Sequence, residues 1–187
     1  MTLLYPVWYM LWSNCVHVEN AILEGDAVAE AAVTETKAQE TSTQQDATRQ
    51  KMSIILYSGT VDKLTAASIL ATGGAAMDMQ VNIFLTFWGL LAFKKGAWKE
   101  PQQQKISAEF AEYAPIMMEA VQQGKVKPWM EVLREAKEIG DVNVYACGMT
   151  MDLFGLKLED LEDVVTAVQG VTGFVAEAKD SAITLFI

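Results

Sequence analysis

The sequence predicts an α/β protein: a three-layer, doubly wound sheet of about five mainly parallel strands. Short apolar runs that suit strands alternate along residues 52–187 with longer stretches that suit helices. Apolar residues make up 51% of the 187-residue chain, enough for a sizeable core, whereas charged residues make up only 20%. This composition excludes wholesale disorder, and the length suits one such domain better than two.

The first predicted strand is the apolar run at 53–57, which the turn residues Ser58 and Gly59 follow. Asp62 is then expected to cap a helix over 62–77. Because that helix is apolar nearly all round, we expect it to be covered on more than one side, by the sheet and by another subunit.

A second strand is predicted at 81–87, where β-branched and aromatic residues are frequent. A short apolar helix follows it, and the polar stretch 96–112 then indicates a mobile excursion. Pro115 and Pro128 each suit the first turn of a further helix.

The last part of the chain continues the alternation. A third strand is predicted at 142–146, a short helix or strand at 160–168 and a helix at 172–179. The chain closes on the apolar run 182–187, which we expect to be a central strand because both of its faces are apolar.

Residues 1–51 are predicted to be an N-terminal extension of the domain 52–187. The apolar tip 1–12 is shorter than the roughly 20 residues that span a bilayer, and the Ala-, Thr-, Gln- and Glu-rich stretch 24–51 suits a flexible linker. Three interpretations of the tip stay open: a cleaved signal, a hydrophobic segment that contacts a membrane or a partner, and a poorly packed extension before a start at Met52.

Charge and cysteine content exclude several classes of function. The net charge of −10 argues against a nucleic-acid backbone or an anionic lipid surface as the main partner. Two cysteines, Cys15 and Cys147, make no disulfide framework, and one histidine, His17, cannot build a multi-histidine metal site. We therefore predict no metal site and a reducing, cytoplasmic location.

Chemistry in an open parallel sheet is expected where the strands end, at their carboxyl edge. The candidate substrate-binding residues follow the three predicted strands there: Ser58 and Gly59; Thr86, Phe87 and Trp88; Gly148, Met149, Thr150 and Met151. Cys147, the single thiol in 52–187, lies at the same edge and is the candidate catalytic residue.

Two interpretations of Cys147 stay open. A helix that begins just after it would stabilise a thiolate, and Met149, Met151, Phe87 and Trp88 would supply a soft apolar pocket. Alternatively, Cys147 is a small buried hydrophobe that ends a strand. Competing sites are weaker. No P-loop or dinucleotide fingerprint is present, and Ser58-Gly59-Thr60 is only a thin version of a flavodoxin-like phosphate cradle. The acidic residues within 159–163 suit a solvated face better than a cation site.

Three sequence motifs of the domain are similar to those of a known family. The chain has S-G-T-V-D-K at 58–63, F-L-T-F-W-G at 84–89 and C-G-M-T-M-D at 147–152. With these motifs, residues 52–187 resemble the DsrE/DsrF/DsrH-like sulfur-trafficking family, most closely its DsrE2/DsrE3-type branch.

The resemblance implies a function for Cys147. Members are cytoplasmic homo-oligomers, for which a trimer or a hexamer is plausible, and they carry sulfane sulfur or thiosulfate covalently on a cysteine. The implied role is that of a sulfur carrier or sulfurtransferase that exchanges sulfur with TusA-like carriers and rhodanese-like donors. The adduct on Cys147 then takes the place of any separate cofactor.

Two functions of other classes remain as alternatives. One is a non-catalytic oligomeric binding or assembly module, in which the apolar helix 62–77 forms the interface and Cys147 is inert. The other is a thiol redox sensor, because a reactive cysteine also meets peroxide.

Overall fold

The computed structural model of the protein describes residues 49–187. Its five strands are β1 (Lys51–Leu56), β2 (Gln80–Leu85), β3 (Val142–Cys147), β4 (Ala167–Gln169) and β5 (Ile183–Phe186). Its α-helices are α1 (Val61–Ala76), α2 (Phe87–Ala92), α3 (Ala114–Gln122), α4 (Trp129–Ile139), α5 (Gly148–Phe154) and α6 (Val171–Ala178). Short 3₁₀ helices lie at Ala97–Lys99, Pro101–Gln103, Ala108–Tyr113 and Leu158–Asp160. The apolar tip, Cys15, His17 and all but the last three residues of the expected linker lie outside the described residues.

The five strands form one parallel sheet in the order β4-β3-β2-β1-β5. Helices cover both faces of this sheet, which confirms the predicted three-layer α/β fold. Each neighbouring pair is joined in register, as where Lys51 faces Gln80 and Leu56 faces Leu85. The parallel arrangement brings the carboxyl ends of all five strands to one edge.

The first face of the sheet carries the main core. Alternate residues of the three central strands point to it and are fully or almost fully buried: Ile54, Leu56, Val81, Ile83, Leu85, Val142, Val144 and Ala146. Helices α1 and α4 pack on them through residues such as Leu64 and Leu133. Burying each large aliphatic side chain contributes about 1.5–3 kcal/mol, so this face holds most of the fold's hydrophobic stabilisation.

The second face carries a smaller core under α6. Phe84, Cys147 and Phe174 form one buried cluster, with Ile55 and Tyr145 packed against it. The rings of Phe84 and Phe174 stack with their centroids 4.6 Å apart. The opposite sheet faces are therefore covered very unequally.

The closing strand is an edge strand, so the prediction of a central position was wrong. β5 pairs with β1 alone among the described strands. The side chain of Phe186 is 70% exposed in this chain. Leu185 packs against the main core, whereas Phe186 on the other face of this strand marks uncovered apolar surface.

The segment after α2 makes hydrogen bonds to the start of α1. Its 3₁₀ turns lead to Lys105, whose carbonyl accepts a hydrogen bond from the Val61 N–H at 2.8 Å. The Asp62 carboxylate does not cap α1, which begins at Val61 with Thr60 as N-cap. Instead it accepts hydrogen bonds from the backbone N–H and the hydroxyl of Ser107, at 3.0 and 2.7 Å.

Helix α1 buries one side only. Leu64, Ala67 and Ala71 face the core, whereas Ile69 is 58% exposed. Across residues 49–187, none of the helices combines the length and the apolar character needed to cross a bilayer.

Candidate functional site at the carboxyl edge of the sheet

The connections that leave β3 and β4 run to opposite faces of the sheet. After β3 the chain enters α5, whose Met151 belongs to the main core on the first face. After β4 it enters α6, whose Phe174 covers the second face. Adjacent strands whose connections diverge in this way open a crevice, which is where ligands bind in open α/β sheets. The switch point thus lies beside Cys147 and Gln169, the paired last residues of the two strands.

Cys147 is the last residue of β3 and the N-cap of α5. Its side chain points to the second face and is 0% exposed. Within the described residues it is the only free cysteine. The predicted thiol is therefore at the predicted edge, but in this single chain it lies beneath other side chains.

The exits of β1 and β2 approach one another closely. A Cβ on Gly59 would lie 2.4 Å from the backbone oxygen of Trp88, and one on Gly89 would lie 2.2 Å from that of Leu56. Only glycine leaves room for backbone at such distances. The S-G-T and F-W-G segments of the sequence thus pack backbone against backbone at the edge of the sheet.

Thr150 connects the β3 exit to the β2 exit. Its buried hydroxyl lies 3.3 Å from that of Thr86 and accepts a hydrogen bond from the Phe87 N–H at 3.2 Å. Phe87 adopts φ of +45°, a backbone conformation that costs a non-glycine residue energy. The hydrogen bond holds this turn, which ends β2 at Leu85 rather than at residue 87 as the sequence predicted.

The four side chains of the predicted soft pocket differ widely in exposure and in their neighbours. Met149 is 58% exposed, while Met151 is 5% exposed and buried in the core of the first face. Phe87 packs against Tyr57, with ring centroids 5.6 Å apart. Trp88 is 52% exposed and lies 6.0 Å from the ring of Phe154. The helical turn that begins at Gly148 separates the two methionines onto different sides.

Ser58 lies in the loop that follows β1. Its hydroxyl is 3.1 Å from that of Thr60, which in turn lies 3.3 Å from the hydroxyl of Ser107. This chain of hydroxyls continues into the Asp62 carboxylate. Burial raises the pKa of that carboxyl, but the hydrogen bonds from Ser107 and Thr60 outweigh burial and leave the pKa below its usual value.

A polar network under α6 is the part of the site that the sequence analysis missed. The Glu177 carboxylate accepts hydrogen bonds from the Nδ2 of Asn82 at 3.1 Å and from the Nε2 of Gln169 at 3.0 Å. Asn82 lies in a run of buried apolar residues and is itself 0% exposed. An amide in such a run signals a buried hydrogen-bond partner, although the sequence does not reveal which residue supplies it.

Tyr145 lies on the same face, in the row of side chains next to Cys147. Burial raises the pKa of its phenol, and the negative charges of Glu177 and Asp141 raise it further. The phenol therefore stays protonated at neutral pH.

Two of the acidic residues within 159–163, Glu162 and Asp163, form ion pairs with one arginine. Arg134 donates hydrogen bonds to Glu162 at 2.9 Å and to Asp163 at 2.7 Å. Across residues 49–187, no cluster of three or more His, Cys, Asp or Glu side chains is arranged to hold a metal ion.

Comparison with known proteins decides the family. The model of the DsrE/DsrF/DrsH-like family matches residues 48–186, which include the whole sheet. The chain belongs to the DsrE/DsrF/DrsH-like family. The resemblance stated from the three motifs is thereby confirmed.

Two relatives of this DsrE/DsrF/DrsH-like protein align along nearly their full length. YrkE of Bacillus subtilis is 34% identical over 157 residues, 74% of this chain and 97% of YrkE. A protein of Allochromatium vinosum named sulfur carrier protein DsrE2 is 30% identical over 158 residues, 74% of this chain and 98% of that protein.

Among solved structures, the YchN protein of Escherichia coli aligns with a TM-score of 0.46 at 16% identity, over 74% of this chain and 100% of that one. MTH1491 of Methanobacterium thermoautotrophicum aligns with a TM-score of 0.39 at 12% identity, over 74% and 99%.

Two cavities of this DsrE/DsrF/DrsH-like protein lie beside the first motif, of which they share the residue Val61. Each has a volume of about 250 Å³, and both lie between the start of α1 and helix α3, with Val61, Met117 and Val121 in their walls. None of the predicted site residues lines either cavity.

Proposed function

We propose that this protein is a sulfur carrier that binds sulfane sulfur or thiosulfate covalently on Cys147 and passes it to a partner thiol in cytoplasmic sulfur metabolism. The observation that carries the proposal is the position of Cys147, the one thiol within residues 49–187, at the switch point of the sheet. The relative named as a sulfur carrier protein supports the same conclusion.

The chemistry requires only thiol–disulfide exchange. The Cys147 thiolate attacks the outer sulfur of a donor persulfide, the S–S bond of the donor breaks, and the donor leaves as a thiolate. With tetrathionate, attack on an inner sulfur leaves a thiosulfonate group on Cys147 and releases thiosulfate. Hand-over repeats the exchange, with a partner thiolate as nucleophile and Cys147 as the leaving thiolate. Neither direction needs a general acid or base beside the sulfur.

The surface around the crevice suits a protein partner. Trp88 and Met149, at the exits of β2 and β3, are both more than half exposed. Exposed aromatic and methionine side chains are enriched where proteins bind each other. We infer that they receive a TusA-like carrier or a rhodanese-like donor, while the glycines Gly59 and Gly148 keep the strand exits free of side chains.

A hand-over experiment tests the proposal. The reduced protein is loaded with polysulfide, freed of donor by gel filtration and mixed with a reduced TusA-like carrier, and both proteins are weighed by mass spectrometry. We expect the added sulfur to leave the wild type and the Cys15→Ser variant and to appear on the carrier. The Cys147→Ser variant should transfer none. Transfer that is equal from Cys147→Ser would reject the proposal.

A second candidate, a non-catalytic assembly module, is favoured by the burial of Cys147 and by the exposed apolar residues of α1 and β5. Ile69 is 58% exposed and Phe186 is 70% exposed, so a homo-oligomer, trimer or hexamer, would cover them. Light scattering of the wild type and Ile69→Lys tests this function, with Val175→Lys on α6 as the matched control. Dissociation by Ile69→Lys together with an unloaded Cys147 would favour the assembly module.

A further inference from the structure

A carrier cysteine has to meet the sulfur of another molecule, yet the side chain of Cys147 is 0% exposed. It lies in one buried cluster with Phe84 and Phe174. Phe174 stacks on Phe84, so its ring lies over the second face of the sheet at the level of this cluster. Thiol–disulfide exchange needs direct contact between sulfur atoms. The cover over Cys147 must therefore move before any sulfur is exchanged.

Helix α6 supplies this cover and is weakly anchored. It is eight residues long, and Phe174 is its only buried residue. Val171 and Val175 are 47% and 57% exposed. Helix α4 on the opposite face, by contrast, buries four residues of its eleven. Elements with few buried apolar contacts open at lower free energy than the rest of a fold.

One hydrogen-bonded clasp, formed by Glu177, joins α6 to the sheet. The two oxygens of the Glu177 carboxylate each accept one hydrogen bond, from Asn82 of β2 and from Gln169 of β4. Hydrogen bonds to a charged acceptor are stronger than neutral ones. Glu177 thus joins the helix to two strands at once.

The clasp leaves two acceptors unsatisfied when it is closed. The Oδ1 of Asn82 and the Oε1 of Gln169 are both buried without a hydrogen-bond donor. Their amide nitrogens face the carboxylate, which fixes the oxygens on the other side. The fastening of α6 to the sheet therefore rests on these two hydrogen bonds to Glu177.

We propose that α6 is a lid over Cys147, that Phe174 is its plug, and that Glu177 is the positioning residue whose clasp to Asn82 and Gln169 keeps the lid closed. This inference rests on the proposed function, because it describes how a partner gains access to the carrier thiol. It assigns the control of sulfur exchange to a helix outside the three sequence motifs.

The rate at which iodoacetamide alkylates Cys147 tests the lid. In a Cys15→Ser background Cys147 is the sole thiol of the full chain, so intact mass follows its alkylation directly. Glu177→Ala removes the clasp, and Phe174→Ala removes the plug. We expect each variant to raise the rate at least about tenfold, whereas Glu177→Gln, which keeps one acceptor oxygen, should give a smaller rise.

Matched controls separate lid opening from loss of stability. Arg134→Ala removes an ionic clasp with two partners on the other side of the sheet. Phe93→Ala removes an equally buried ring from the main core. Both should leave the alkylation rate within about twofold of the parent while they lower the global free energy of unfolding. In the Cys15→Ser protein, the alkylation rate of Cys147 should rise only weakly with urea concentration, because opening one helix exposes little surface.

Two results would overturn the lid. One is a parent thiol that already reacts as fast as an unfolded cysteine peptide. The other is an alkylation rate that rises in Glu177→Ala and in Arg134→Ala in proportion to the loss of free energy of unfolding in each variant. Neither result depends on sulfur chemistry. A lid that opens over a cysteine that never loads would reject the carrier function alone, whereas a loaded cysteine with no lid effect would reject this inference alone.

Discussion

Cys147 and Gln169 are paired residues in the parallel ladder between β3 and β4. At this point the connections that follow the two strands leave the sheet for opposite faces. Cys147 carries the only thiol of the described residues, and Gln169 ends in a buried amide that binds Glu177 of α6. The proposed carrier thiol and the glutamine that binds helix α6 thus lie on neighbouring strands. A single rearrangement of α6 changes the surroundings of both.

Thr150 is expected to hold the β2 exit in its strained turn. Thr150→Val keeps the shape of the side chain but leaves the Phe87 N–H and the Thr86 hydroxyl without this partner. We expect the free energy of unfolding to fall by about 1–3 kcal/mol. Thr150→Ser keeps the hydroxyl and should lose much less. Urea unfolding measures both, and equal losses in the two variants would show that the methyl group matters more than the hydrogen bonds.

Substitution of glycine by alanine is expected to have opposite effects on the free energy of unfolding at two positions. Gly89→Ala would bring a Cβ to 2.2 Å from the Leu56 carbonyl oxygen, so the backbone must shift, at a cost of about 3 kcal/mol. Gly73→Ala, in the exposed interior of α1, meets nothing within 4 Å and should stabilise the protein by about 1 kcal/mol. Thermal unfolding of the two variants checks the pair. A tolerated Gly89→Ala would refute the close approach of β1 and α2.

Protonation of Asp62 is expected to account for part of the loss of folding stability at low pH. Burial raises its pKa, yet the hydrogen bonds from Ser107 and Thr60 hold the folded-state pKa below the usual 3.8. A depressed carboxyl pKa adds stability that is fully present above 3.8 and is lost as the pH falls through the lowered value. Ser107→Ala should therefore flatten the loss of stability below pH 3.8. Urea unfolding across this range measures it, and curves of equal steepness would contradict the prediction.

The sheet could be predicted because buried parallel strands leave a direct signal in the sequence. The runs at β1, β2 and β3 supply an unbroken row of apolar residues to the first face, although Ser53, Asn82 and Asn143 interrupt the second. The residues that follow β1 and β2 contain the glycines that their close approach requires. The same signal failed for β5, since an apolar run is equally compatible with an edge that a second molecule would cover. The end of β2 was missed because the positive φ of Phe87 depends on its hydrogen bond to Thr150, which is distant in sequence.

The surroundings of Cys147 could be predicted only in part. Its place at a strand end follows from the local pattern, but the divergence of Met149 and Met151 depends on the residue at which α5 begins. The cover over the thiol depends on α6, which lies on the second face because β5 is placed beyond β1. The strand order is a property of the whole chain, so no local pattern reveals Phe174 or Glu177.

The most direct test of the central claim is the intact mass of the reduced protein after incubation with tetrathionate or polysulfide. The account predicts one adduct per chain, a thiosulfonate group from tetrathionate or sulfane sulfur from polysulfide, that dithiothreitol removes. The adduct should form in the wild type and in Cys15→Ser and be absent in Cys147→Ser. An adduct that persists in Cys147→Ser, or a wild type that loads only on Cys15, would contradict the claim that Cys147 carries sulfur.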